Sequence, residues 1–365
     1  MKNIGALIFN NHPAFESLAK NAYDSFIKWH PDLDCHLVTP YNYSRYYSKY
    51  VPGYQKTIAA ECIMSAHKYD KIIVLGADTI TTARLDEFID SDEDIVGSLD
   101  YPQEPHPFGY SKDQHPYMNA DVVCYGNLDV LVALNFLAPI IGPPLFEQGA
   151  QNVIVNGTPP LLPEIDPGIK SKVIKRLGQD HYDQRIEKIK GFLKDDKVGV
   201  DWDGTKLRVP KNISCKVVDY PYKESKVSYN VRSKVGIENA KTNDECYERN
   251  ITNFKVEGEK LITPDGKHIK VFHVGEGLGN EKTNKSFENL VKKYLDWFND
   301  DTKKFFVESC NCENWILGNK YPKWKFNGLD ESPYIEFMDL KDLMSKRPTP
   351  EKNEGFDTVY YKGKK

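Results

Sequence analysis

The chain has 365 residues, of which 40% are apolar and 28% charged, and its net charge is −4. That length buries one large core or a core with a satellite, and the composition is that of a globular protein rather than a disordered one. So small a negative charge provides no electrostatic footprint for nucleic acid or an anionic membrane as partner. The seven cysteines form no CxxC pair, and Cys310-Asn311-Cys312 has too short a spacing for a zinc half-site. They read as reduced, buried thiols of a cytosolic protein. The apolar start Ile4–Phe9 is broken by Asn10-Asn11 too early for a signal peptide, and no run of about 18 apolar residues offers a membrane span. The expected location is therefore cytoplasmic. The 22 tyrosines and 17 phenylalanines suit sugar faces and protein cores alike, so they decide nothing alone.

In chain order, Ile4–Phe9 is a short run of strand formers, followed by apolar residues at helical spacing: Phe15, Leu18, Ala22, Phe26 and Trp29. His36-Leu37-Val38-Thr39 reads as a second strand, residues 57–64 as a helix and Lys71–Leu75 as a third strand. This alternation predicts an α/β sandwich with a mainly parallel central sheet and right-handed crossovers. Asp94–Gly97 and Ala120–Tyr125 are strand-like, Leu128–Phe136 is helical in pattern, and Pro139–Pro144 reads as a breaker-rich loop. From Lys194 to Val274 the pattern shifts to short β-like pieces. Among them, Leu261-Ile262-Thr263 and Ile269–Phe272 flank the turn Pro264-Asp265-Gly266 and predict a hairpin. Phe287–Phe298 is amphipathic at helical spacing, and the charged last 20 residues are expected to fray.

The chemistry concentrates at Lys71-Ile72-Ile73-Val74-Leu75-Gly76-Ala77-Asp78-Thr79. An apolar strand ends in a tip of two small residues and an aspartate, and open α/β sheets bind ligands beyond the carboxyl ends of their strands. A carboxylate at that place suits Mg²⁺ or Mn²⁺, which bind through one or two carboxylates together with substrate phosphates. Gly76 and Ala77 leave room for a nucleotide to approach the backbone.

This stretch resembles the DxD-bearing strand of the GT-A glycosyltransferases, in particular the glycogenin and galactosyltransferase-like group, family 8. Five further segments resemble that group in the same order. Asp94–Asp100 is similar to the next strand, and Tyr117-Met118-Asn119-Ala120-Asp121-Val122 to a Phe-Asn-Ala-Gly-Val strand. Phe146-Glu147-Gln148-Gly149-Ala150-Gln151-Asn152 resembles an Asp-Gln-x-x-x-Asn helix start, Tyr229-Asn230-Val231 a Tyr-Asn segment, and Lys270–Gly275 the strand ending in a metal-binding histidine. Pro52-Gly53-Tyr54-Gln55-Lys56 stands before the DxD strand, as in the group. The resemblance spans about residues 1–280.

It implies a GT-A fold over 1–285, with 195–270 as a β-rich acceptor-side part, and 286–365 as a helical or irregular extension packed on the core. It implies a nucleotide-sugar donor, UDP-sugar in preference, a carbohydrate or glycoprotein acceptor, and Mn²⁺ or Mg²⁺ held by Asp78 and His273. The donor side would comprise Phe9, Asn10, Lys56, Gly76, Ala77, Asp78, Asn119, Gln148 and Lys282, with His12 near the base. Asp100, Asp121 and Glu147 are the candidate catalytic carboxylates, and the sequence does not rank them. Family 8 implies retention of configuration, whereas chlorovirus-type cytosolic glycosyltransferases, which the chain also resembles and some of which invert, would place it in host cytoplasm.

The departures from the pattern are specific. Gly76 stands where the first Asp of DxD belongs, Asp121 where the strand has Gly, and Glu147 where the helix start has Asp. The ending His-x-x-Gly-x-Lys-Pro-Trp is reduced to His273-Val274-Gly275-Glu276-Gly277, with Lys282 the nearest later lysine. The competing structural readings are that His273 simply ends an apolar strand and that Gln148 and Asn152, at i and i+4, pair along a helix. Trp315, Tyr321 and Trp324 could stack on an acceptor or pack the tail. Loss of the first Asp opens the alternative of a catalytically inactive glycan-binding or scaffolding protein. A nucleotidyltransferase would carry a Gly-rich loop after the first strand, where this chain has Asn10-Asn11-His12-Pro13. A dinucleotide-binding GxGxxG is likewise absent there.

Overall fold

The computed structural model describes residues 2–10, 16–38, 55–100, 117–141, 146–156, 179–180, 183, 213–220, 224–232, 254–273 and 298–312. Its centre is a six-stranded sheet in the order β2-β1-β3-β6-β5-β7. The strands are β1 (Ile4–Phe9), β2 (Asp34–Val38), β3 (Lys71–Gly76), β5 (Ile95–Leu99), β6 (Met118–Tyr125) and β7 (Cys215–Val217). β1 pairs in parallel with β2 and β3, and β5 with β7, while β6 runs antiparallel to both of its neighbours. Every residue of β1, β3 and β5 is buried, which is why these segments read as continuous apolar runs without alternation.

The reversal of β6 decides where the site can form. Its first residues lie at the sheet end where β1, β3 and β5 finish, because Leu75 faces Val122 and Leu99 faces Met118. One edge thus collects three strand ends and one strand start.

Helix α1 (Glu16–Trp29) buries Ala22 and Phe26 against the sheet and Leu18 in a second apolar cluster, all at helical spacing. Helix α2 (Gln55–His67) buries Ile58, Ala59 and Ile63. The short α3 (Asp86–Ile89) follows β4 (Thr79–Thr81) and buries Phe88. Helix α4 runs from Leu128 to Ile141, past the loop expected from Pro139, and buries Val130, Leu131, Ala133, Leu134, Leu137 and Ala138. Helix α5 (Phe146–Asn156) packs beside it and beside β6.

Two small sheets complete the described fold. β10 (Lys255–Glu257), β11 (Lys260–Ile262), β12 (His268–Ile269) and β8 (Val227–Ser228) form one, in that order. The predicted hairpin is its β11–β12 unit, with Ile262 facing His268 and Gly266 at φ +84° in the turn, a backbone region open to glycine. β4, β13 (Val271–His273) and β9 (Val231–Arg232) form the other, with β13 central. The segment expected as one strand, Ile269–Phe272, is therefore split at Lys270 between two sheets. Lys270 turns its Nζ to the carbonyl of Arg84 at 2.8 Å and to Glu87 at 3.5 Å, which fixes the crossing point.

A second apolar cluster joins Phe254 and Phe272 to Phe298, Phe305 and Phe306, the last two on α6 (Asp300–Cys310). Asn299 caps α6, accepting from the Thr302 N–H at 2.8 Å. The division expected at residue 285 and residues 287–297 of the helix expected over Phe287–Phe298 lie outside the described residues, as does the chain after Cys312; Phe298 itself is not helical.

Candidate active site

Phe9, Gly76 and Asp121 form a row across the sheet edge. Phe9 faces Gly76 in the β1–β3 register, and Gly76 lies opposite Asp121 beyond the Leu75–Val122 pair. A Cβ added at Gly76 would sit 3.1 Å from Asp121 Cβ and Cγ and 3.0 Å from Asp78 Oδ1. The space that an aspartate at position 76 would need is filled from the neighbouring strand, so the two departures from the sequence pattern are physically one exchange. Asn10 is buried and its N–H donates to the Val38 carbonyl at 2.8 Å.

Ala77 and Asp78 form the turn between β3 and β4, closed by the Thr79 hydroxyl donating to the Gly76 carbonyl at 2.8 Å. Antiparallel pairing of β4 with β13 sets His273 beside Thr79. His273 Nε2 consequently lies 3.1 Å from Asp78 Oδ1, although 195 positions separate them in the chain. On its other side, His273 Nδ1 meets Asn230 Oδ1 at 2.9 Å. Among the described residues no group of three or more His, Cys, Asp or Glu is arranged to hold a metal ion. The Asp78–His273 pair does match a two-ligand site: adjacent positions of an octahedral ion at about 2.1 Å are about 3.0 Å apart, and substrate oxygens commonly complete such a shell.

The second group surrounds Lys56, on α2. Its ammonium forms an ion pair with Asp121 and lies 3.5 Å from Glu147. Burial opposes the lysine's charge, but the two carboxylates outweigh it and its pKa is raised. Burial pushes Glu147 up to about 7, with Lys56 opposing and Asp121 adding to the rise. One cation thus stands against two carboxylates, and Glu147, the more distant and the less exposed, is the one that keeps a proton more readily. Asp121 has 37% of its side chain exposed and is the most open of the three groups.

The third group is a polar net around Asp100, at the end of β5. Asp100 accepts from Asn119 Nδ2 at 3.1 Å and from Gln148 Nε2 at 2.8 Å. Gln148 Oε1 accepts from the Ala120 N–H at 3.2 Å, and Asn119 Oδ1 from the Asp121 N–H at 2.7 Å. Asn152 does not merely pair along its helix: it accepts from the Met118 N–H at 2.7 Å and donates to the Met118 carbonyl at 2.9 Å, besides donating to the Gln148 carbonyl. The start of α5 is thereby locked to the start of β6.

The structure brings together Phe9, Asn10, Lys56, Gly76, Ala77, Asp78, Asp100, Asn119, Asp121, Glu147, Gln148 and His273 at or beside one sheet edge. Lys282, His12, Trp315, Tyr321 and Trp324 lie outside the described residues, as do Pro52-Gly53-Tyr54 and Gly275-Glu276-Gly277. Sequence reasoning missed Asp219. This buried carboxylate accepts from the Leu99 N–H at 2.6 Å and the Tyr229 N–H at 3.1 Å, and burial raises its pKa to about 6. No motif marks it, since its partners are backbone groups.

The fold and site together define a mixed α/β protein whose polar constellation lies beyond the carboxyl ends of its parallel strands. No protein-family model and no curated protein matches the chain. Among solved structures it is similar to the glycosyltransferase GlyE of Streptococcus pneumoniae TIGR4, at 15% identity over 50% of this chain and 51% of that one, with a TM-score of 0.30. It thus spans about half the length of that structure. It is similar also to the galactosyltransferase LgtC in complex with donor and acceptor sugar analogues, at 12% identity, 82% and 99% coverage and a TM-score of 0.29. Mouse xyloside xylosyltransferase 1 in its apo form gives 12% identity, 77% and 99% coverage and a TM-score of 0.33. At these identities and scores the likenesses carry nothing about the activity of this chain. No helix among the described residues is long and apolar enough to cross a membrane.

Proposed function

We propose that this chain is a GT-A glycosyltransferase that moves a sugar from a nucleotide-sugar donor, UDP-sugar in preference, to a hydroxyl of a carbohydrate or glycoprotein acceptor. The observation that carries the reading is the meeting of Asp78 and His273 at 3.1 Å on the strand-end turn, beside the Asp121–Lys56–Glu147 and Asp100–Asn119–Gln148 groups. The reaction breaks the bond between the anomeric carbon and the diphosphate, so charge developing on the leaving group is the main barrier. Asp78 and His273 are the residues that would hold Mn²⁺ or Mg²⁺. When bound, the ion supplies positive charge for the diphosphate oxygens.

The chain's own residues would do the rest. Phe9, Asn10, Gly76 and Ala77 would form the floor against which a nucleotide lies, and Lys282 would be a phosphate contact. Asp100, its two oxygens oriented by Asn119 and Gln148, is suited to accept from sugar hydroxyls. Asp121 is the open carboxylate, ion-paired with Lys56, and is our choice for the group that accepts a proton from, or orients, the acceptor hydroxyl. Glu147 and Lys56 would keep the local charge balanced as that proton moves.

The direct assay follows release of nucleoside diphosphate from UDP-, GDP- and dTDP-sugars in the presence of Mn²⁺, with water or oligosaccharides as acceptors. Turnover with one nucleotide, abolished in Asp78→Ala, is expected. The alternative, an inactive glycan-binding or scaffolding protein, is favoured only by the glycine at position 76. It would bind oligosaccharide while consuming no donor.

A further inference from the structure

Asn230 stands behind His273, and its amide orientation is determined by its second contact. Its Nδ2 donates to the Leu99 carbonyl at 3.3 Å, so the amide oxygen is the atom that faces His273 Nδ1 at 2.9 Å. The reversed amide would oppose two oxygens at Leu99 and remove that bond. An amide oxygen cannot donate, so Nδ1 must carry the hydrogen. In the neutral imidazole, Nε2 is then left with a lone pair aimed at Asp78 Oδ1, 3.1 Å away. Two acceptors at that separation repel unless a proton, which would make the ring an imidazolium paired with Asp78, or a metal cation lies between them.

The support for this amide reaches further. Asp219 accepts from the N–H groups of both Leu99 and Tyr229, the residues directly before Asp100 and Asn230. Leu99 is therefore gripped on its N–H by Asp219 and on its carbonyl by Asn230, while Tyr229 is fixed by the same carboxylate. Tyr229 is further anchored by its hydroxyl on Glu87 and by stacking on Phe88, with ring centroids 4.7 Å apart. Asn230 has little freedom to turn away.

We propose that Asn230 is a positioning residue: it holds His273 in the Nδ1–H tautomer, leaving Nε2 free to share a divalent cation with Asp78. Histidines that bind metal generally donate their other N–H to such a partner, and loss of the partner typically weakens metal binding by about 10–100-fold. The inference rests on the metal-assisted reading above, and its test separates the two. The tautomer of His273 is read by long-range ¹H–¹⁵N NMR on the metal-free protein at pH 8, assigned against His273→Gln. Mn²⁺ affinity is read separately from the free-ion EPR signal.

Wild type is expected to show the Nδ1–H tautomer and to bind Mn²⁺. Asn230→Leu, which can neither accept nor donate, is expected to lose the preference and to bind Mn²⁺ about 10–100-fold more weakly. Asn230→Asp keeps an acceptor for Nδ1–H, although its second oxygen opposes the Leu99 carbonyl, and is expected to keep the tautomer and to recover part of the affinity. It also covers the case in which the leucine variant does not fold. An Nε2–H tautomer in wild type overturns the proposal, as does Mn²⁺ binding by Asn230→Leu at wild-type strength. Absence of Mn²⁺ binding in wild type instead defeats the metal-assisted reading on which the proposal stands.

Discussion

His30 offers a quantitative test of the packing that joins the end of α1 to the start of α3. It follows α1, is fully buried, and stacks on Phe26 with ring centroids 4.3 Å apart. Its Nδ1 lies 3.0 Å from the Phe26 carbonyl, and its Nε2 accepts from the Leu85 N–H at 2.9 Å. One nitrogen donates and the other accepts, so the ring must be neutral, and an imidazolium would lose the bond to Leu85. Burial lowers its pKa from 6.5 to about 4, with the nearby Arg84 adding to the effect and the Phe26 carbonyl opposing it. The folded state therefore binds fewer protons than the unfolded chain below pH 6.5, and stability falls as the pH drops through 6.5 toward 4. The full effect is about 3 kcal/mol, and about 2 kcal/mol of it is lost by pH 5. Urea unfolding at pH 7.5 and pH 5.0 measures this against His30→Gln, whose amide still donates and accepts but does not titrate. Wild type is expected to lose about 2 kcal/mol more than the variant over that interval. Equal losses would refute the reasoning, because His30 would then ionise as freely in the fold as outside it.

Two further predictions concern the sheet edge. Gly76→Ala should cost about 1–3 kcal/mol, because the new Cβ presses on Asp121 and Asp78, and most of that cost should vanish in an Asp121→Gly background. An unchanged cost in both backgrounds, measured by chemical denaturation, would contradict the cross-strand exchange. Lys56→Met should destabilise by about 2–3 kcal/mol, below the usual loss for a broken buried pair because Asp121 is part exposed and Glu147 can take a proton. The loss should be larger at pH 8 than at pH 5.5, where the carboxylates need a cation less; a loss independent of pH would show that Lys56 acts only by packing.

Strands β1 and β3 were legible because they are runs of apolar residues bounded by polar breaks, whereas the short, partly exposed β7 was not. Lys71–Leu75 and Ile4–Phe9 could hardly be anything but buried strands. The reversal of β6 was not legible, since an antiparallel strand buried on both faces has the same composition as a parallel one. The hairpin at Pro264-Asp265-Gly266 was written in its turn residues, whereas the split at Lys270 depends on a lysine reaching Arg84 and Glu87 across the fold. Asp78 could be named from its position at a strand tip and His273 from the family resemblance, but their 3.1 Å approach is set by the β4–β13 pairing, which leaves no local trace. Gly76 and Asp121 looked like a loss and an unrelated gain along the chain, and only strand register shows them to be neighbours. Asp219 had no signal, because it acts on backbone N–H groups that any sequence possesses, and the Tyr229-Asn230 resemblance did not tell which groups Asn230 would bond.

The central claim is tested most directly by a thermal-shift titration of UDP-, GDP- and dTDP-sugars with Mn²⁺, repeated with EDTA and with Asp78→Ala. A ligand at a hundredfold excess over its dissociation constant stabilises a fold by about 2.7 kcal/mol. The account predicts a rise in Tm with one nucleotide, UDP before the others, that disappears with EDTA and in Asp78→Ala. No rise with any nucleotide, or a rise unaffected by both, would contradict it.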